Sequence, residues 1–132
     1  MKGVILAGGR GTRLGRHTIV LNKHLVAVGQ YPMIEYPLAT LLRIGIKDII
    51  VVVGAEHAGL IMNYLANAHP HVDFTYKVQR EAGGIAQALG LVENVASGES
   101  LAVILGDNIF NEDFSEHARR FEEEKLGAML FL

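Results

Sequence analysis

The sequence contains no cysteine, which excludes disulfides, thiolate zinc sites and a cysteine nucleophile together. Long apolar runs are missing too. The longest uninterrupted aliphatic stretch, Ile49 to Val53, falls far short of the ~20 residues a membrane-spanning helix needs. Neither charge sign dominates: twelve Lys+Arg stand against fourteen Asp+Glu, a formal charge of −2. A global field that would attract nucleic acid or an anionic membrane is therefore absent, and neither is expected as a partner. The chain opens Met1-Lys2-Gly3-Val4-Ile5-Leu6-Ala7 and runs directly into glycines, with no apolar leader before them, so a cytoplasmic location is expected. Aromatic residues are sparse at 7%, yet half of the 132 residues are hydrophobic, which excludes disorder. The length suits one domain, 1–132, and not two.

Glycine is the residue in excess, 15 of 132, and it punctuates an alternating pattern. Val4–Ala7 is a short apolar run stopped at once by glycines, the mark of a buried strand. Met33 to Ile44 places Ile34, Leu38, Leu41 and Leu42 on one helical face. Ile49–Val53 is β-branched throughout and predicts a strand buried on both sides. Leu60, Ile61, Tyr64 and Leu65 return to helical spacing. Val72, Phe74, Tyr76 and Val78 alternate with polar residues, as in a half-exposed strand. A helix is predicted over Gly84–Val95, another buried strand over Leu101–Leu105, and a helix near Glu112–Lys125 with Phe114, His117, Ala118 and Phe121 inward. The apolar run Ala128–Leu132 predicts a last strand and suggests that the chain is part of a longer protein. Such alternation implies an α/β three-layer sandwich with a mostly parallel central sheet. Ligands of such sheets bind beyond the carboxyl ends of the strands, so the loops after Ala7, Val53, Val78 and Leu105 are the candidates.

The loop after the first strand reads Gly8-Gly9-Arg10-Gly11-Thr12-Arg13-Leu14. Glycines there let backbone N–H groups approach a polyphosphate with no Cβ in the way. Two common phosphate motifs do not match. No Gly-Lys pair occurs in the chain, so there is no G-x-x-x-x-G-K-[ST], and the third glycine of G-x-G-x-x-G is replaced by Leu14. The loop carries its own cations, Arg10 and Arg13, with Lys23 a little beyond.

Lys2 to Leu14 resembles the signature loop of the sugar-phosphate nucleotidyltransferases, closest to the glucose-1-phosphate thymidylyltransferase type. Four further blocks agree in order and spacing: Asn22-Lys23-His24-Leu25, Tyr31 to Leu38, Gln79 with Gly83 to Ala88, and Leu105 to Phe110. The resemblance implies a Rossmann-like fold and transfer of dTMP or UMP from dTTP or UTP to a sugar 1-phosphate, glucose 1-phosphate being the expected one, with release of pyrophosphate. It implies that Gly8, Gly9, Gly11 and Thr12 wrap the triphosphate and that Arg13 holds the departing pyrophosphate with its planar fork. Lys23 would bridge the α-phosphate and the incoming sugar phosphate, and Asp107 would bind Mg²⁺, a hard cation suited to carboxylate and phosphate oxygens. Gln79 and Gly84 would select the base, the Gln amide offering both a donor and an acceptor. A homo-oligomer is expected.

The sequence also departs from the family pattern. Family enzymes are roughly twice as long, and their second half supplies sugar-binding residues and a second metal-binding aspartate. Arg16 stands where proline is usual, and Asn22 and His24 flank Lys23 where Ser or Pro and Gln are usual; His24 is expected to be able to donate to a phosphate. The alternative reading is a non-catalytic nucleotide-binding module or regulatory subunit lacking the sugar-binding half. His69-Pro70-His71 reads as an exposed turn, Glu122–Lys125 as a solvated helix end, and Glu112 and Asp113 as caps of the helix that follows. Glu35 and Glu56 are poor candidates for the ribose acid of a dinucleotide site.

Overall fold

The computed structural model describes residues 1–9 and 22–131. Four parallel strands form its centre: β1 (Lys2–Ala7), β4 (Asp48–Gly54), β5 (Asp73–Gln79) and β6 (Leu101–Leu105), in the order β5-β4-β1-β6. A two-residue hairpin pairs β2 (Ala27–Val28) with β3 (Tyr31–Pro32) around Gly29, whose φ is +64°. The helices are α1 (Glu35–Arg43), α2 (Ala58–Ala68), α3 (Gly84–Gly90), α4 (Glu93–Ala96) and α5 (Ser115–Glu123). This is the expected α/β, Rossmann-like arrangement.

The strands sort their side chains by parity. Ile5, Ala7, Ile49, Val51 and Val53 face α1 and α2, and meet Ile34, Leu38, Leu41, Ile61 and Leu65 in one core cluster. Val4, Leu6, Ile50 and Val52 face the other way, against Ala88 of α3 and Val92. Ile49 to Val53 have no exposed surface, because β4 lies between two strands and two helical layers. A Cβ on Gly3 would come within 2.8 Å of Leu41 Cδ1, so the glycine lets α1 sit close on the sheet.

Local chemistry sets the helix ends. Pro37 stands in the first turn of α1, where its missing N–H has no helical acceptor to lose. The helix stops in a Schellman motif: Gly45 (φ +94°) donates to the Leu42 carbonyl, and Ile46 donates to that of Leu41. The helix predicted over Gly84–Val95 is two pieces. Gly90 ends the first, and the N–H of Val92 turns back to the Leu89 carbonyl in a tighter turn.

Two expectations need correction. Residues 128–131 form no strand; Phe131 instead packs edge-on to Phe114, ring centres 4.8 Å apart, and to His117 at 5.2 Å. Aromatic contact takes the place of a sheet ladder for this run, and Leu130 remains 83% exposed. His117 is exposed, and no residue of α5 is buried. Asp113 does cap that helix region, accepting from the Ser115 backbone and hydroxyl. Among the described residues no helix is long and apolar enough to cross a membrane.

Candidate active site

Strand order locates the site before any side chain is considered. Chain connections from β1 through β4 to β5 step one way across the sheet, whereas β6 returns to the far side of β1. The reversal opens a crevice between the carboxyl ends of β1 and β6, the usual position for a ligand in such a sheet. Gly8 and Gly9 leave β1 there, and Gly106 and Asp107 leave β6.

A cavity of about 260 Å³ occupies this position. Its wall combines Gly8, Gly9, Lys23, Gln79, Gly84 and Asp107, residues drawn from five separate segments of the chain. These six are among the residues that the sequence pattern singled out. Arg10, Gly11, Thr12, Arg13 and Arg16 lie outside the described residues. Leu6, Ile85, Ala88 and Leu105 give the cavity an apolar side. A smaller recess of about 30 Å³ adjoins it at the end of β4, near Gly54, Glu56 and Arg80.

One end of the cavity is charged. Lys23, in a single 3₁₀ turn (Lys23–Leu25), puts its Nζ 2.5 Å from Asp107 Oδ2. The Lys23 ammonium beside it holds the Asp107 carboxyl below the usual carboxylate range, so the carboxylate is ionised at neutral pH. A Cβ on Gly9 would stand 3.4 Å from Lys23 Nζ, which leaves the lysine against bare backbone.

His24 is the residue whose role the sequence did not reveal. It is 1% exposed. Asn22 Oδ1 accepts from the His24 backbone N–H at 2.8 Å and lies 2.6 Å from its Nδ1. Because a backbone N–H can only donate, the Asn22 atom is an oxygen and Nδ1 carries the ring proton. Burial, aided by the Lys23 charge, pushes the imidazole from 6.5 down to about 4. The ring is therefore neutral with Nε2 an acceptor, and it does not supply the phosphate donor expected of it. Its edge fills the space beside Gly106, where a Cβ would meet His24 Cδ2 at 2.8 Å and Ala7 Cβ at 3.1 Å. The ring thus wedges between the ends of β1 and β6 and seats the turn that carries Lys23.

Among the described residues the other end carries no charge. Gln79, the last residue of β5, is 7% exposed. Its Nε2 donates to Gln87 Oε1 at 2.8 Å and reaches the Gly84 carbonyl at 3.4 Å. Gly84 has φ +89° and nothing within 4 Å of a built Cβ, so its face is open toward the cavity. Glu35 plays no part at the site: it accepts from the Tyr64 hydroxyl at 2.6 Å and lies 2.9 Å from His69 Nε2. His69 is accordingly a partner in that contact and not simply part of an exposed turn.

Fold and cleft together define an α/β protein of the Rossmann-like class with its binding crevice at the topological switch. The nucleotidyl transferase family model matches residues 2–132, and the chain belongs to that family. Glucose-1-phosphate thymidylyltransferase of Mycobacterium tuberculosis (strain CDC 1551 / Oshkosh) is 39% identical over 131 residues, covering 98% of this chain and 46% of that protein. The enzyme of the same name from Neisseria meningitidis serogroup A is 36% identical over 133 residues, 99% of this chain and 46% of its own length. A crystal structure from Bacillus anthracis, assigned as a glucose-1-phosphate thymidylyltransferase in complex with sucrose, matches with a TM-score of 0.89 and 48% identity. That match covers 95% of this chain and 51% of the other. Apo UDP-glucose pyrophosphorylase shares the fold, with a TM-score of 0.80 at 20% identity over 95% of this chain and 56% of its own. The chain spans about half the length of the curated relatives it matches.

Proposed function

We propose that this chain is the nucleotide-binding domain, 1–132, of an enzyme that transfers dTMP or UMP from dTTP or UTP to a sugar 1-phosphate, glucose 1-phosphate being the first choice, and releases pyrophosphate. The observation that carries the reading is the single cavity at the β1/β6 crevice that assembles Gly8, Gly9, Lys23, Gln79, Gly84 and Asp107. The names of the relatives support the sugar phosphate and the thymidylyl donor.

The chemistry asks for charge neutralisation and alignment of two polyanions, since a sugar phosphate oxygen is already a nucleophile and needs no base. Gly8 and Gly9 offer backbone amides without side chains, and Gly11, Thr12 and Arg13 would continue that cradle, Arg13 holding the pyrophosphate. Lys23 would leave Asp107 and neutralise the α-phosphate and the attacking phosphate together. Gln79 and Gly84 would hold the base against the apolar side of the cavity.

Asp107 is ionised and exposed, and among the described residues no group of three or more His, Cys, Asp or Glu accompanies it. A single carboxylate fits Mg²⁺ in the mode where phosphate oxygens and water complete the shell. Bound there, the ion would screen the charge that builds on the phosphates. The same reading makes the protein cytoplasmic and homo-oligomeric, and light scattering after size exclusion tests the second.

A coupled pyrophosphate-release assay of the chain with dTTP or UTP plus glucose 1-phosphate tests the proposal. Release that depends on the sugar phosphate supports transfer. Failure to bind either nucleoside triphosphate overturns it. Nucleotide binding without release is what a domain lacking the sugar-binding half gives, and it is the outcome shared with the binding-module reading, which the half-length match to the relatives also allows.

A further inference from the structure

The amide of Gln79 is held in one orientation, and Gln87 is what holds it. The Gly83 backbone N–H donates to Gln87 Oε1 at 2.9 Å. A backbone N–H is a donor under all conditions, so the Gln87 atom it meets must be the carbonyl oxygen. That same oxygen lies 2.8 Å from the Gln79 amide, and the atom facing it must therefore be Nε2. The second hydrogen of Nε2 is directed at the Gly84 carbonyl, another atom whose polarity cannot change. Two backbone groups thus fix the sense of the relay from both sides.

The consequence falls on the opposite edge of the Gln79 amide. Its Oε1 lies over Gly8 at the wall of the cavity, so close that a Cβ there would stand 2.1 Å away. Both donors of Gln79 are spent inside the protein, and no side chain among the described residues is hydrogen-bonded to its Oε1, which leaves an acceptor for a ligand. A Gln amide was expected to offer a base a donor and an acceptor; this one offers an acceptor alone.

We infer that Gln87 is a positioning residue for base selection: by locking Gln79 with its carbonyl toward the cavity, it makes the site select a pyrimidine with a ring N–H. This deepens the function proposed above and rests on it. Thymine and uracil carry such a donor at N3. Cytosine has a bare lone pair at N3, which would face the Gln79 oxygen and leave two buried acceptors opposed, a costly arrangement. With Gln87 removed, only the longer 3.4 Å contact with the Gly84 carbonyl opposes a turned-over Gln79 amide that would meet cytosine with its NH₂.

The test is competition between dTTP and dCTP, measured as binding to the chain by calorimetry for the wild type, Gln87→Met and Gln87→Glu. Gln87 is exposed, so either change leaves the core packing in place, and thermal melting checks this. The wild type is expected to prefer dTTP. Gln87→Met should lower the dTTP:dCTP preference by roughly tenfold or more, the scale of one misdirected hydrogen bond. Gln87→Glu, whose carboxylate can only accept, should keep the preference. A merely structural role would weaken both nucleotides alike and leave the ratio unmoved. An unchanged ratio in Gln87→Met overturns the inference while leaving the nucleotide site intact, and so does a wild type that prefers dCTP. If the wild type binds no nucleoside triphosphate, the broader proposal falls first.

Discussion

The two ends of the cavity are built on opposite principles. At the Lys23–Asp107 end the groups are charged, partly exposed and paired with each other. At the Gln79–Gln87 end they are neutral, and their orientation is set by backbone atoms. A charge pair near water is worth little to the fold. A hydrogen-bonded amide tied to backbone cannot exchange without cost. Under the proposed function the contrast becomes a division of labour: the ionic end would follow the reacting phosphates, while the amide end would stay fixed and discriminate.

The largest effect is expected from Lys23→Ala. Pyrophosphate release should fall by about 1000-fold or more, as for loss of a principal charge stabiliser, while the melting temperature barely changes. Retained activity would show that the charged end does not participate in transfer. Next comes pH. The folded protein holds His24 near 4 and the unfolded chain near 6.5, so the unfolded state binds the extra proton between those values. Stability contributed by the neutral ring is complete above about pH 6.5 and declines by about 3 kcal/mol as pH falls to 4. His24→Asn keeps a donor for Asn22 and does not titrate, so urea unfolding at pH 7 and 4.5 should show a smaller difference than in the wild type. An equal difference removes His24 from the explanation.

Gly8→Ala drives a methyl group toward Gln79 Oε1 and should weaken dTTP binding by roughly 10- to 100-fold, the range for one or two lost contacts at the fixed end; calorimetry reads it. The smallest effect is Asp107→Asn on stability, under about 1 kcal/mol by chemical denaturation. A loss several times larger would mean that the charged end supports the fold and the contrast is misdrawn.

Much of this was legible in the residues themselves. β1 and β4 are aliphatic runs bounded by glycine or polar residues, and their burial follows from β-branching and length alone. The β6 run reads as buried too, but it lies at the edge of the sheet, where only Ile104 is buried and Val103 is 44% exposed. Lys23, Gln79 and Asp107 could be marked because they follow strand ends or sit in recognisable blocks. Other features depend on distant partners. No periodicity announces that Gln87 accepts from Gly83 and Gln79, or that Asn22 fixes the tautomer of His24, because both need the turn geometry first. Gly90 was a visible warning that the 84–95 helix would break. The run Ala128–Phe131 misled because apolar composition cannot distinguish a ladder from an aromatic cluster with Phe110, Phe114 and His117.

The Lys23–Asp107 contact has one more effect. The crevice comes with its own counterion, so a lone small anion gains little by entering: it must evict a carboxylate already in place. Only a ligand bringing several negative groups along the chain of amides, or a cation to satisfy Asp107 in turn, recovers what that eviction costs. Under the proposed function the pair would therefore set a threshold of valence, admitting a triphosphate where a stray orthophosphate would find the position taken.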